Sequence, residues 1–281
     1  MTGSTNAVKS AKGRSQTIER ATLLLACFSA EEPHLSLAQL ATKVGLNQST
    51  VYRYVATLQA AGLLERDERR GGYQLGLRVI ELSHIVLNQL DVRKHALEEM
   101  DRLRDEQDAL VSLAVLFEGD VLHIAHAVPA GWPRWHTTVG RRAVAHCTAL
   151  GKTLYAYRSW EDVRRTIAQY GWRPYTPRSI TAFDRLDVEL TAIRERGYAV
   201  DDEERRRDQV CIGVPVFDHT GRAVAALSLS KHRDSLPPDA RARLAVRVRE
   251  AADRVSFRLG YEGGTAYLSH VSAGEASRAT V

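Results

Sequence analysis

The stretch LSLAQLATKVGLNQSTVYRYVATLQAAGLL, residues 35–64, decides the fold of the first part of the chain. Its first half carries a helical stripe of apolar residues between Ser36, a preferred N-cap residue, and Gly45, which favours a helix end. Asn47 offers the N-cap of a second helix, which ends near Gly62. The apolar faces are Leu37, Leu40, Ala41 and Val44 in the first helix, and Val51, Val55 and Leu58 in the second. Two short helices joined at a glycine turn have the dimensions of a helix-turn-helix.

The second helix has a polar face opposite its apolar face. Arg53 lies one turn into the helix, where a guanidinium can pair with both acceptors of a guanine edge. Short hydroxyls near the helix N-terminus can bind phosphate together with the free backbone amides. The sequence therefore predicts DNA contacts by Gln48, Ser49, Thr50, Arg53 and Thr57.

A basic hairpin is predicted directly after these helices, with strands at 63–66 and 72–75. Arg69 and Arg70 at its tip would reach phosphates or the minor groove, as a wing does. Residues 1–75 carry nine Lys and Arg against six Asp and Glu, a net charge of +3. The alternative is a pair of amphipathic helices whose polar face is merely solvated, and the hairpin favours DNA binding over it.

The chain divides into five predicted segments. Residues 1–14 are small, polar and basic and are predicted to be a disordered tail, and 15–75 form the DNA-binding domain, which opens with a helix from Gln16 that carries Phe28. A linker helix at 76–91 carries Leu77, Ile80, Leu82, Ile85 and Leu87. That is more apolar surface than an exposed helix tolerates, so we expect this helix to pack in a dimer. Residues 92–260 form a second domain and 261–281 a flexible tail.

The second domain shows an α+β pattern. Alternating apolar residues predict strands at 111–117 and 121–128, and again at 210–217 and 223–230, each pair separated by a short turn. Helices are predicted from Val92, Thr148 and Trp160, at 184–196 and at 238–259, with a loop at 129–140. Two hairpins of this kind predict an antiparallel sheet.

Composition narrows the class of protein further. The 281 residues are 44% hydrophobic and 26% charged, with a net charge of +5, which suits a globular protein and permits a polyanionic partner. The sequence has neither the roughly 18 apolar residues of a membrane helix nor a secretory signal. Three widely spaced cysteines favour reduced thiols. We therefore expect a cytoplasmic protein with no membrane contact and no cofactor.

Four motifs resemble the IclR family of bacterial transcription regulators. They are the segment from ERATLLLACF to GGYQLG, then VGRRAVAHCTALGKTLYA, GYAVDDEE and CIGVPVFDHTGRAVAALSLS. The resemblance covers roughly residues 15–260 and implies a winged helix-turn-helix, a linker helix used in dimerisation and a GAF-like effector-binding domain on an antiparallel sheet. It also implies a repressor or activator that binds a palindromic operator as a homodimer or homotetramer and responds to a small organic or aromatic acid.

The segment HCTALGK, residues 146–152, opens a helix with small residues, so its first backbone amides can face an anion. The resemblance assigns an effector's acid group to the backbone of Ala149 and Leu150, and the other positions of the pocket to Asp201, Cys211, Ser228 and Ser230. Strand alternation puts the two serines on one face. The alternative is that both serines are exposed and that Cys211 fills the core.

Two departures from the family pattern lie near this pocket. The family usually has a glycine at the position of Asp208, and a proline and a leucine at the positions of Val144 and Ala145. Trp132 and Trp135 are candidates for the wall of a pocket for an aromatic effector, or else simple packing anchors. The effector itself is therefore not carried over from the resemblance.

Three other functions are alternatives for this sequence. A cysteine hydrolase would use Cys147 with His146, but adjacent helical residues project about 100° apart and no third orienting group is evident. A metal sensor would draw on four histidines, His123, His126, His136 and His146, but the first two are predicted to lie on opposite faces of a strand. A third candidate is a DNA-binding protein whose second domain only dimerises. The polar positions Ser228 and Ser230 on a strand and the helix start at 146–152 argue against this candidate.

Overall fold

A computed structural model describes residues 15–132 and 138–263. The chain divides into two compact units, Met1–Leu87 and Asn88–Val281. The predicted tail at 1–14 lies outside the described residues, and so does most of the predicted C-terminal tail, 264–281. Of the rest of that tail, Tyr261 stacks on Phe217 with ring centroids 4.9 Å apart. Within the described residues, no helix is long and apolar enough to cross a membrane.

The first unit is a three-helix bundle followed by a hairpin. Its elements are α1 (Gln16–Leu25), α2 (Leu37–Val44), α3 (Gln48–Ala60), β1 (Leu64–Arg66), β2 (Tyr73–Leu75) and α4 (Arg78–Gln89), which ends just past the unit. Ser36 caps α2 in a reciprocal capping box with Gln39, and Gly45 ends it in the left-handed region with φ 68°. Asn47 caps α3 through the amide of Thr50. The predicted apolar face of α3, Val51, Val55 and Leu58, is buried in the core.

The first helix is shorter than its apolar periodicity indicates. The chain leaves α1 after Leu25 through two tight turns, in which Cys27 and Phe28 donate their amides to carbonyls three residues back. Phe28 still packs against the core of the bundle, but from a turn. Periodicity identified a core residue here and assigned it to the wrong element.

Helix α4 has no buried residue. Leu77 just before it, and Ile80, Leu82, Ile85 and Val86 within it, are exposed by 48–69%. The helix covers nearly the whole of the segment predicted as the linker, 76–91. This exposed apolar surface is the property from which dimerisation was predicted.

The second unit is a six-stranded antiparallel sheet with helices. Its elements are α5 (Asp91–Gln107), β3 (Leu110–Phe117), β4 (Asp120–Ala127), β5 (Arg142–Ala143), α6 (Ala149–Ala156), α7 (Trp160–Tyr170), α8 (Phe183–Arg196), β6 (Ala199–Asp202), β7 (Gln209–Phe217), β8 (Ala223–His232) and α9 (Pro238–Arg258). The strand order is β5-β4-β3-β8-β7-β6. Helices α6, α7 and α8 share one apolar core with the sheet. This mixed α+β architecture confirms the predicted fold class.

Helices α5 and α9 are joined by a buried carboxylate. Glu99 of α5 is fully buried and pairs with Arg254 at 2.7 Å and Arg258 at 3.3 Å, both from α9, and with Arg102 of its own helix at 3.4 Å. A buried carboxylate is tolerated only with such partners. The contact therefore joins segments that lie far apart in the sequence.

Both predicted hairpins of this unit are confirmed, but two strands were missed. The two residues of β5 lie between the predicted loop at 129–140 and the helix predicted from Thr148, and β6 follows the turn at Gly197. The sheet also contains a β-bulge. His123 pairs with Ala114 and Ala125 with Leu113, so that Ile124 has no partner on β3. The bulge brings His123 and His126 to one face, where their rings stack with centroids 4.8 Å apart. The prediction that they lie on opposite faces is wrong, because a bulge changes the alternation of the strand.

Candidate nucleic-acid interface and ligand cavity

The polar face of α3 is open to solvent. Gln48, Ser49, Arg53 and Thr57 are exposed, and Thr50 is partly buried. The hydroxyl of Ser49 donates to Asn47 Oδ1 at 2.9 Å, and that of Thr57 donates to the carbonyl of Arg53 at 2.9 Å. Among the described residues, the Arg53 guanidinium forms no ion pair. The side chains predicted to contact DNA therefore share one accessible surface, and Arg53 is a free cation on it.

Sequence reasoning passed over one residue of this surface. Tyr52 lies next to Arg53 on α3, and 57% of its side chain is exposed. Its position beside Arg53 on the predicted recognition helix was the usable signal.

The hairpin turn holds two further cations. Arg69 and Arg70 are exposed, and both donate their backbone amides to Asp67 Oδ1, at 3.0 and 3.1 Å. These two hydrogen bonds, chiefly that of Arg70, lower the pKa of the Asp67 carboxyl. An ionised Asp67 thus fixes the turn while both guanidinium groups extend into solvent.

The second unit contains a cavity of about 190 Å³ between the N-terminal end of α6 and the sheet. All six residues predicted to bind an effector line it: Ala149, Leu150, Asp201, Cys211, Ser228 and Ser230. Further lining residues not predicted for this role include Ser112, His123, His126, Arg141, Arg205 and Gln209. Trp132 lines the cavity too, whereas Trp135 and His136 lie outside the described residues.

The start of α6 presents free amides to this cavity. Thr148 is the N-cap, its hydroxyl accepts from the amide of Gly151 at 3.2 Å, and its carbonyl accepts from that of Lys152 at 2.9 Å. Among the described residues, the amides of Ala149 and Leu150 have no acceptor. Helix and sheet meet closely here, because a Cβ on Gly213 would lie 2.7 Å from the carbonyl oxygen of Ala149. A glycine at 213 lets the helix end approach the sheet.

Two rows of side chains cross the sheet beneath α6. One row is Asp201, Cys211 and Ser230 on β6, β7 and β8. The other is Ser228, Ser112 and His126 on β8, β3 and β4. The alternative in which Ser228 and Ser230 are exposed is wrong, since both are buried at 2% and 4% exposure. The cavity therefore has a polar floor inside an otherwise apolar domain.

Asp201 is the buried acid of the cavity. Its Oδ1 accepts from the amides of Glu204 at 2.7 Å and Arg205 at 3.3 Å. Burial, followed by the charge of Glu204, raises the pKa of Asp201 to about 7 despite these hydrogen bonds. Burial also raises the pKa of Cys211, whose sulfur accepts from the Ser230 hydroxyl at 3.1 Å. These groups act as hydrogen-bonding groups rather than as a cluster of fixed charges.

A buried lysine connects α6 to the loop after Asp201. Lys152 is 1% exposed, and its ammonium group contacts Glu204, Glu189 at 3.2 Å and the carbonyl of Val200 at 2.6 Å. Nothing in the sequence around Lys152 predicts its burial. Through these contacts Lys152 holds β6 and the loop after it against the start of α6.

The arginine run after Glu204 divides between the cavity and solvent. Arg205 is partly buried, and its guanidinium lies over the ring of Tyr175 at 3.5 Å. Arg206 and Arg207 are exposed, and Arg206 also lines the cavity. Asp208 adopts φ 61°, the left-handed region that favours glycine, with its amide bonded to Glu203 Oε1 at 2.9 Å. The departure from the family glycine is therefore accommodated by an aspartate in the same backbone conformation.

Cys147 and His146 are not arranged as a nucleophile and base. Burial raises the pKa of Cys147 to about 12, so its sulfur is a protonated thiol at neutral pH. His146 Nε2 accepts from the backbone amide of Arg173 at 3.1 Å. Among residues 15–132 and 138–263, no group of three or more His, Cys, Asp and Glu side chains is placed to hold a metal ion.

Two family models together match most of the chain. Residues 17–68 match the IclR helix-turn-helix domain, and residues 84–257 match the C-terminal part of the bacterial transcriptional regulator IclR. An exposed recognition helix with a wing, followed by a domain with a ligand cavity, defines a ligand-responsive DNA-binding regulator of transcription. The chain belongs to the IclR family of such regulators.

Individual relatives align over nearly their whole length. The HTH-type transcriptional regulator XynR of Escherichia coli is 28% identical over 88% of this chain and 98% of that protein. The glycerol operon regulatory protein of Streptomyces coelicolor is 31% identical over 87% and 96%. The crystal structure of the IclR regulator from Alicyclobacillus acidocaldarius has a TM-score of 0.76 at 26% identity, covering 87% of this chain and 98% of that one. These relatives are regulators of transcription, not enzymes.

Proposed function

We propose that the protein binds a palindromic operator as a homodimer or a dimer of dimers, acts as a repressor, and changes its operator affinity when a small organic acid occupies the cavity beside α6. The observation that carries this proposal is the unpartnered pair of amides of Ala149 and Leu150 over a polar sheet floor. Free amides at a helix start bind an anionic group. Repression and operator binding place the protein in the cytoplasm and require neither a cofactor nor a metal.

DNA contact is proposed for the exposed face of α3 and for the hairpin tip. Arg53 is the base-reading candidate, since its guanidinium is exposed and forms no ion pair among the described residues. Gln48, Ser49, Thr50 and Thr57 are candidates for phosphate contacts, and so are Arg69 and Arg70. A two-fold symmetric dimer would present two copies of α3 to successive major grooves.

Dimerisation is proposed through α4. Its apolar residues are exposed in the single chain, whereas a monomer rarely leaves a contiguous apolar surface uncovered. Sedimentation at micromolar concentration tests this proposal. We expect a dimer or tetramer for the native chain and a folded, smaller species for Ile80→Ser with Ile85→Ser. A native monomer with unchanged circular dichroism would overturn it.

The effector response is tested by operator titrations with and without small carboxylates that raise the melting temperature of the full chain. Such a ligand should shift operator affinity by a coupling free energy of about 1–3 kcal/mol. Ser228→Ala with Ser230→Ala should abolish that shift and leave operator affinity without ligand nearly intact. Ser235→Ala, at an exposed serine on another segment, is the matched control. Loss of operator binding with normal ligand binding would mean that the two serines act elsewhere.

A further inference from the structure

We propose that His123 and His126 form a second recognition group in the cavity, and that the effector is a small monocarboxylate carrying an uncharged hydroxyl or carbonyl group on the side away from its acid. This inference rests on the proposed function, because it assigns the acid of the ligand to the start of α6. It adds the chemistry of the other end of the ligand, which the resemblance to the family does not supply.

The two histidines lie in the cavity because of the β-bulge at Ile124. Without the bulge, residues three apart on β4 would project from opposite faces of the sheet. With it, both rings stack and both line the cavity. The backbone of His123 is held at two points, since its amide donates to the carbonyl of Arg141 and its carbonyl accepts from Gly140. The bulge and these backbone hydrogen bonds therefore set the strand geometry that brings both rings to the cavity.

Both rings have hydrogen-bonding capacity left over. Nδ1 of His126 lies 2.9 Å from the hydroxyl of Ser112, which is itself buried. His126 Nε2 and His123 Nδ1 are buried without a hydrogen-bond partner among the described residues. The backbone of Thr138 lies near enough to His126 to oppose the lowering of its pKa, but it does not pair with His126 Nε2. Buried polar atoms are nearly always paired in a folded protein, so unpaired ones beside a cavity indicate a ligand that pairs them, directly or after a small turn of the ring.

The charge state of the rings decides which group they bind. Burial, and then the charges of His126, Arg141 and Arg205, lower the pKa of His123 to about 3. Burial likewise lowers the pKa of His126. Both rings are neutral at physiological pH, so each offers one donor and one acceptor and no charge. A hydroxyl or carbonyl matches them, whereas a second carboxylate would gain no ion pair from neutral rings.

The spacing of the strands sets the size of the ligand. Ala149 lies against Gly213 on β7, and Gly213, Ser228, Ser112 and His126 are successive neighbours across four strands. Adjacent strands are roughly 4.8 Å apart, so the helix end and the histidines are separated by about 14 Å of sheet. Subtracting a hydrogen bond of about 3 Å at each end, and the imidazole at the histidine end, leaves room for one short skeleton. A cavity of about 190 Å³ fits a compact ligand of this kind.

Two matched series of compounds test the proposal on the full chain. The first is 4-hydroxybenzoate, benzoate and terephthalate, and the second is 6-hydroxyhexanoate, hexanoate and pimelate. Each series keeps one acid and one skeleton and changes the far group from hydroxyl to hydrogen to carboxylate. Calorimetric Kd values are measured at pH 6 and pH 8. In at least one series we expect the hydroxy acid to bind about 3- to 10-fold more tightly than the unsubstituted acid, the contribution of one net hydrogen bond.

Variants connect that preference to the two rings. His123→Phe and His126→Phe should each lower the affinity for the hydroxy acid towards that of the unsubstituted acid, whose own affinity should stay unchanged. His126→Gln keeps hydrogen-bonding groups and should retain part of the preference for the hydroxy acid over the unsubstituted acid. It replaces His126→Phe in this comparison if the phenylalanine variant does not fold. His219→Phe, at an exposed histidine on a hairpin turn, is the control and should change nothing.

Three results would overturn the proposal. The first is a hydroxy acid that binds no better than its parent in both series, or that keeps its advantage in both phenylalanine variants. The second is a dicarboxylate that binds best and more tightly at pH 6 than at pH 8, because the rings would then act as cations. The third is that none of the six compounds binds. Operator titrations on the same preparations separate this third result from a failure of the proposed function, since DNA binding would persist.

Discussion

The face of α3 and the ligand cavity are both polar, but their polar groups are held in different ways. On α3 the side chains are exposed, their hydrogen bonds are local, and Arg53 forms no ion pair among the described residues. In the cavity, Ser112 and Ser230 are buried and bonded to neighbouring strands, and Asp201 is buried and bonded to the backbone of the loop that follows it. An exposed polar face can exchange water for DNA without any change in the fold. A buried polar site depends on the fold, so substitutions there should alter stability as well as binding.

Lys152→Met gives the sharpest test of this difference. The substitution keeps the length of the side chain but leaves Glu204 buried beside the cavity without its cation. Removing one partner of a buried ion pair costs about 3–5 kcal/mol, and we expect a loss of that size in the free energy of unfolding. Urea denaturation measures it. Lys94→Met, which breaks an exposed pair with Asp91, should leave stability unchanged. Equal stability of Lys152→Met and the native chain would show that the cavity does not depend on this contact.

Asp201→Asn tests the buried acid through pH. The unfolded carboxyl ionises near its ordinary pKa of 3.8, whereas the folded one ionises near 7. Between these values the folded state holds one more proton, so native stability falls as pH rises from about 4 to 7. The asparagine variant lacks this loss. Its stability relative to the native chain should therefore improve by roughly 2–4 kcal/mol between pH 4.5 and pH 7.5, at about 1.4 kcal/mol per pKa unit. Parallel stability profiles of the two proteins would contradict the assignment.

Arg53→Ala tests the exposed face. If its guanidinium reads a base, specific operator binding should weaken by about 1–3 kcal/mol while the melting temperature stays the same. Gel-shift titrations at fixed salt, with an operator selected from random duplexes, provide the measurement. Arg165→Ala, on the exposed surface of α7, is the matched control. Unchanged affinity in Arg53→Ala would place the base-reading residue elsewhere, with Tyr52 the next candidate.

Arg69→Ala with Arg70→Ala should have the smallest effect. Phosphate contacts add affinity without sequence preference, so binding to operator and to random DNA should weaken alike. The dependence of log affinity on log salt should become shallower by roughly 1 per lost contact. Titrations over a range of salt concentrations measure this slope. A loss confined to the specific operator would mean that the hairpin reads bases.

The same contrast explains what could be predicted from the sequence. The helices α2 and α3 follow from local rules, namely the caps Ser36 and Asn47, the glycine end at Gly45 and the apolar periodicity between them. The polar face of α3 consists of the side chains on the side of the helix opposite its apolar face. The two long hairpins follow from alternation and turn residues in the same way. Each of these features is encoded within a window of about twenty residues.

The cavity was predictable only in part, because it depends on contacts between distant segments. Ser228 and Ser230 could be placed on one face by alternation, but the row of Ser228 is completed by Ser112 and His126 from strands about a hundred residues earlier. The β-bulge at Ile124, a single residue without a partner on β3, brings both histidines to one face of the sheet. Nothing in the sequence around Ile124 predicts this bulge. The burial of Lys152 likewise depends on Glu189 and Glu204. Local periodicity carries no information about such partners.

The pairing of β3 with β8 has a consequence for synthesis on the ribosome. Leu113 on the third strand lies opposite Leu227 on the eighth, so the sheet stays incomplete until more than a hundred further residues have emerged. The arginines of α9 that pair with Glu99 emerge later still. All segments of the helix-turn-helix and its hairpin, in contrast, have emerged by residue 75. Nascent chains should therefore acquire protease-resistant structure in two stages, and a chain interrupted between them would hold a folded DNA-binding unit that no ligand controls.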